Sequence, residues 1–213
     1  MMRLMCTYDL AAFPRLEVLP DQTELIIRPM VPEDAEALLT FFQELPEEDQ
    51  CDQQEEVTSP EVIRRWARQL DYDHALPLLA LACGGIVAYE TLLRSRAAAR
   101  RHVGEIRIVV HPTYREQGVA MVLMHDLMAI AHRSGPQLLT FEAVCGHQDE
   151  SIRSARWLGF RQAAVLKGRV QDPVGRLLDV VVMEASIGTW FEWWPFRAGI
   201  AQVRVRLPWE QSR

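Results

Sequence analysis

The chain has 213 residues, enough for one domain with a sizeable core and terminal extensions. Hydrophobic residues make up 49% and charged residues 24%, a balance that excludes a disordered chain. A formal net charge of −6 argues against a nucleic-acid binder, whose contact face would be basic.

Leu25-Ile26-Ile27 predicts a first strand. A helix follows from about Pro32, with Glu33 and Asp34 near its positive end and Ala35, Leu38, Leu39 and Phe42 inward. Ser59-Pro60-Glu61 opens a second helix, carried on by Ile63, Trp66 and Leu70. Strands at 76–83 and 86–93 are joined by Gly84-Gly85, a two-residue hairpin signal. The one dense basic run, Arg94, Arg96, Arg100 and Arg101, reads as a solvated loop before the next strand. That strand, 105–110, is rich in β-branched residues and is ended by Pro112. Residues 118–133 form a helix with Val119, Val122, Leu123, Leu127 and Ile130 at helical spacing. A strand at 138–144, a short helix at 149–157 and two strands at about 162–170 and 177–185 complete the order. The last two flank the turn Asp172-Pro173-Val174-Gly175. Residues 23–187 therefore form one α/β domain, with 1–22 as an N-terminal extension and 188–213 as an aromatic-rich C-terminal one.

Cys6, Cys51, Cys83 and Cys145 are scattered, without metal-ligand or disulfide spacing. Cys145 follows a strand and reads as a buried structural thiol rather than a nucleophile. The six histidines follow no metal-ligand spacing, so no metal is expected. No apolar run reaches the ~20 residues that span a bilayer. Thr7, Tyr8 and Asp9 interrupt the first apolar stretch, so the expected compartment is the cytoplasm and no membrane partner is expected.

The chemistry is concentrated at Arg115-Glu116-Gln117-Gly118-Val119-Ala120. A tight strand-to-helix turn points free backbone N–H groups at one spot, and the helix dipole adds positive charge there, which suits a phosphate. The pattern Arg-x-x-Gly-x-Ala between a β-branched strand and an amphipathic helix resembles the acyl-CoA signature of the GNAT superfamily, the acetyl-CoA-dependent N-acyltransferases. Ile27-Arg28-Pro29 with Pro32-Glu33-Asp34-Ala35 resembles that family's first strand-to-helix junction, and Leu158-Gly159-Phe160 the end of its fourth helix.

The resemblance implies a mixed, mostly antiparallel sheet of about seven strands with helices on both faces. Two strands splay at a bulge to form the acyl-CoA cleft. It places the pyrophosphate on Arg115, Glu116, Gln117, Gly118, Val119 and Ala120, with the Glu116 side chain turned to solvent. It gives the pantetheine arm to the main chain of Ile108, Val109 and Val110, and to Gln148 where the family often has Asn. Glu105 stands ten residues before Arg115, where the bacterial protein-lysine acetyltransferases of the superfamily carry a base glutamate. The other reading of Glu105 is a strand-end glutamate facing solvent. Ala155 occupies the place of the Tyr that many members use to protonate the leaving thiolate.

The expected activity is acetyl transfer from acetyl-CoA to a primary amine, on a small molecule or a protein lysine. The rival is a non-catalytic acyl-CoA-binding sensor. Glu44, Glu47, Glu48, Asp49, Asp52, Glu55 and Glu56 form an acidic run that either draws cationic amines or keeps the surface soluble. The C-terminal extension holds Trp190, Phe191, Trp193, Trp194, Phe196 and Trp209 with interspersed Arg. It either folds back on its own core or packs against a second copy, and its composition, that of an interface core, favours a homodimer.

Overall fold

The computed structural model describes residue 8, residues 10–51, residue 53 and residues 55–188. The C-terminal aromatic segment and its dimer reading lie outside the described residues. Eight strands form one sheet in the order β1-β2-β3-β4-β5-β6-β8-β7: β1 (Arg15–Val18), β2 (Glu24–Pro29), β3 (Ala75–Ala82), β4 (Gly85–Arg94), β5 (Val103–Val110), β6 (Leu138–Val144), β7 (Arg161–Gln171) and β8 (Leu177–Ser186). The helices are α1 (Ala35–Gln43), α2 (Glu47–Cys51), α3 (Pro60–Arg68), α4 (Val119–Ser134) and α5 (Asp149–Trp157). Every neighbouring pair is antiparallel except β5 and β6, which α4 links as a parallel crossover.

The central strands are apolar on both faces because both faces are covered. In β3, Leu76, Leu78 and Ala80 join Leu92, Ile106, Leu127 and Met128 in the core under α4 and α5. Leu79 instead joins Leu38, Phe42, Ile63 and Val109 in the core under α1 and α3. Helices thus lie on both sides, as the family resemblance implied.

Three details depart from the sequence reading. The extra strand is β1, which lies within residues 1–22 and pairs with β2 from Arg15↔Ile27 to Val18↔Glu24. Its four-residue pattern is too short to stand out from a loop in sequence. The β3–β4 turn is Cys83-Gly84, one residue earlier than Gly84-Gly85, because Ala82 pairs with Gly85. Both turn residues have positive φ, 50° and 83°, as a tight hairpin turn requires. The acidic run, for which no element is predicted above, contains α2.

Candidate active site

β5 and β6 hold together only from Val103↔Leu138 to Ile106↔Phe141. Beyond that point β5 stays with β4 as far as Ala88↔Val110, and β6 stays with β8 as far as Val144↔Val180. The two strands part because each keeps its outer partner. The β4–β5 register is unbroken, so the splay needs no bulge in β5, contrary to the sequence expectation. β6 does not pair with residues 108–110, so main-chain groups on that edge need another acceptor or donor, as the Val110 carbonyl finds in Arg115.

At the open end of this V, the turn 115–118 leads into α4. Glu116 has φ 60° and Gly118 has φ 94°. The helix starts on Gly118, which has no side chain to cap the first-turn N–H groups. Those donors have no intrahelical partner and carry the positive end of the dipole. A cleft runs from here along Ile108, Val109 and Val110 to Gln148. Val119 is buried, Ala120 and Gln117 are half-buried, and the exposed Glu116 stands at the rim. This is a cradle whose groups fit an anionic ligand that continues into an extended chain.

Two side chains finish the strand ends. Arg115 Nε donates to the Val110 carbonyl at 3.1 Å, and its Nη2 donates to Asp49 Oδ2 of α2 at 2.6 Å. Gln148 Oε1 accepts from the Val144 N–H at 2.9 Å, which leaves its NH2 group for the cleft. Gln117 Nε2 donates to the Thr113 carbonyl at 2.9 Å.

Glu105 pairs with Thr140 one position before the strands part, so it sits beside the crotch of the V. Its carboxylate accepts from Arg107 Nε at 2.7 Å and remains 35% exposed. It lines a second cleft, about 390 Å³ in volume, with Arg107, Glu142, Arg169 and Gln148. Ile108, Gln148 and Gln53 border both clefts, so the two meet at the splay.

The structure places the predicted residues 108–110, 115, 116, 118–120 and 148 around one cleft and Glu105 on the adjoining one, whereas the predicted Gln117 is not among the lining residues and turns its amide back to Thr113. Sequence reading missed Asp49, Gln53, Ser151 and Ser154 of the first cleft, and Arg107, Glu142 and Arg169 of the second. Alternation along β5 and β6 puts 105, 107 and 142 on the face away from α4, a signal available once the strand pairing is known. His147 borders the first cleft. Cys145 packs partly buried against the larger core, as a structural thiol does. Ala155 is fully buried in that core, so nothing on its side chain reaches the cleft. Among the described residues no cluster of His, Cys, Asp and Glu could hold a metal ion, and no helix is long and apolar enough to cross a membrane.

A crossover helix with an uncapped start beside two splayed strands is the arrangement that the sequence resemblance implied for the GNAT fold. Residues 38–160, more than half of the chain, match the sequence profile of the acetyltransferase (GNAT) family. The chain belongs to that family, whose members are acyltransferases that use acetyl-CoA. The GNAT domain of S. lividans PAT has a TM-score of 0.67 at 20% identity, covering 81% of this chain and 96% of that one. The ribosomal-protein-alanine N-acetyltransferase of Brucella melitensis scores 0.64 at 24% identity, covering 76% and 99%. The yncA structure from Salmonella typhimurium, solved with its cofactor acetyl-CoA, scores 0.65 at 19% identity, covering 76% and 94%. These likenesses establish the fold. No curated protein matches the chain by sequence.

Proposed function

We propose that the protein transfers an acetyl group from acetyl-CoA to a primary amine, with Glu105 as the base. The observation that carries this reading is the contiguity of the uncapped start of α4, the edge of 108–110 that β6 leaves and a carboxylate at the crotch of the V. The amides of 115–120 would hold the pyrophosphate, and the main chain of Ile108, Val109 and Val110 with the Gln148 amide would hold the pantetheine arm. Bound acetyl-CoA supplies an activated thioester carbonyl.

An alkylamine with pKa near ~10.4 is mostly cationic at neutral pH and cannot attack. Glu105, directly or through a water, takes the excess proton as the N–C bond forms and the C–S bond breaks. A positioned base of this kind contributes roughly 10²–10⁴-fold. With Ala155 buried, the departing thiolate takes its proton from water. The resemblance to the bacterial lysine acetyltransferases, which carry a base glutamate at the position of Glu105, supports this role.

Calorimetry with acetyl-CoA tests the cradle. Gly118→Val puts a branched side chain where the phosphates approach, and affinity falls by about 2 kcal/mol or more through lost charge-assisted hydrogen bonds. Unchanged affinity in a folded variant refutes the site. Binding without turnover of any amine would leave the sensor reading. The composition of the C-terminal segment supports a homodimer, and light scattering on the intact chain and on one stopped at Gly188 decides it.

A further inference from the structure

The acidic run was read as drawing cationic amines or keeping the surface soluble, and two of its members are already engaged. Asp49 is paired with Arg115 and Glu55 with Arg65. The second cleft is not acidic in balance: Glu105 and Glu142 face Arg107 and Arg169. Within it the pairing is uneven. Glu105 and Arg107 are joined at 2.7 Å, whereas Glu142 of β6 and Arg169 of β7 make no hydrogen bond or ion pair with another described residue.

Arg169 owes its place to a break in β7. The β7–β8 register shifts between Leu166 and Val170, and Gly168 within the break has φ 55°. A bulge re-aims the side chains beside it. Asp179 pins this one, accepting from the Gly168 N–H at 3.0 Å and from Lys167 Nζ at 2.6 Å. The Lys167 charge is thereby satisfied, and the neighbouring guanidinium is left for the cleft. β8 separates β6 from β7, and Glu142, opposite Val182, is offset along β8 from Arg169, which lies near the level of Asp179; both line the same cleft.

Resting on the acetyl-transfer reading above, we propose that the acceptor is a small zwitterion. It carries its primary amine and a carboxylate on one molecule. Arg169 binds the anionic group through the paired donors of its guanidinium. Glu142 attracts the ammonium end toward the crotch, where Glu105 removes the proton. A diamine or polyamine leaves Arg169 unmatched and sets a second ammonium against two guanidiniums. An amine without an anionic group forgoes the Arg169 contact.

The test uses the full-length protein and the common amino acids, each beside its methyl ester, together with putrescine and spermidine. Free-thiol release reports turnover, and calorimetry on the CoA-loaded protein reports acceptor binding where turnover is slow. The expected result is that at least one acid is preferred over its ester by about tenfold or more, the loss incurred when a site's charged group goes unpaired. Arg169→Gln removes that preference and Arg169→Lys restores part of it. No acid-over-ester preference in turnover or binding overturns the proposal, as does a preference that survives Arg169→Gln. Acetyl-CoA affinity, measured on the same proteins, separates the two levels. A chain that fails to bind acetyl-CoA refutes the acetyl-transfer reading and this proposal together, whereas one that binds it without discriminating acids from esters refutes this proposal alone.

Discussion

Glu105 and Glu90 stand one strand apart in opposite environments, and their differences are measurable. Glu105 is a third exposed and ion-paired with Arg107, so the obvious variant also frees that guanidinium. Glu105→Gln lowers kcat by about 10²-fold with acetyl-CoA affinity retained. Arg107→Gln breaks the ion pair while keeping the carboxylate and should cost far less; equal losses in both would reassign the effect to the pair. Glu90 on β4 lies opposite Ile108 and is fully buried, with no hydrogen-bond partner for either carboxyl oxygen among the described residues. Burial pushes its pKa well above the usual carboxylate value, and the charge of Asp126, itself held by Arg15, adds to the rise. The folded state therefore keeps this proton after the unfolded chain has released it near pH ~4.3. As pH climbs above that value, stability falls by about 1.4 kcal/mol per unit until the folded-state pKa is reached. Glu90→Gln has no such proton, so its advantage over the parent widens with pH across this window. Urea denaturation at several pH values measures the gap, and parallel curves would contradict the assignment.

At the scale of elements, legibility followed local pattern. The strand 105–110, the helix from Gly118 and the Leu-Gly-Phe ending after α5 are local signals, and the structure has each in place. The partners of the site are not local. Asp49 meets Arg115 across 66 residues, and α2, which presents it, is a five-residue helix with Glu47, Glu48 and Asp49 in its first turn and no hydrophobic stripe to announce it. Arg169 is visible only through a bulge, which no periodicity reports. The Asp49 contact has a consequence for the cradle. Its carboxylate, with a side chain only 14% exposed, neutralises the one arginine of the signature and borders the cleft proposed for the diphosphate. Asp49→Asn should therefore tighten acetyl-CoA binding several-fold, the worth of a partly exposed pair, with a larger gain at low ionic strength. Weaker binding in this variant would show instead that α2 helps to build the site.

The whole molecule is a sheet with two cores, and its edge is closed by residues that the sequence reading assigned to an extension. Tyr8 and Leu19 are buried in the core under α4 together with Leu25, Ile27 and Leu76. From β1, Arg15 reaches Asp126 on α4, with contacts at 2.7 and 3.3 Å, and also pairs with Glu17. Burial works against the Arg15 charge, but the pairing with Asp126 outweighs it and holds its pKa above the ordinary value. This ion pair ties the first strand to the crossover helix that begins at the cradle. A chain starting at Thr23 would lose β1, uncover Leu25 and Ile27, and leave Asp126 buried beside Glu90 without its cation. Removing one partner of a buried pair costs about 3–5 kcal/mol, more than the pair itself contributes. For a domain of this size each kilocalorie shifts Tm by about 2–4 °C, so truncation should lower Tm by roughly 10 °C or more. Arg15→Gln in the full chain removes the pairing with Asp126 and Glu17 but keeps β1, Tyr8 and Leu19, and should account for part of that loss. Scanning calorimetry on the three proteins measures both, and a truncated chain as stable as the parent would show residues 1–22 to be an appendage.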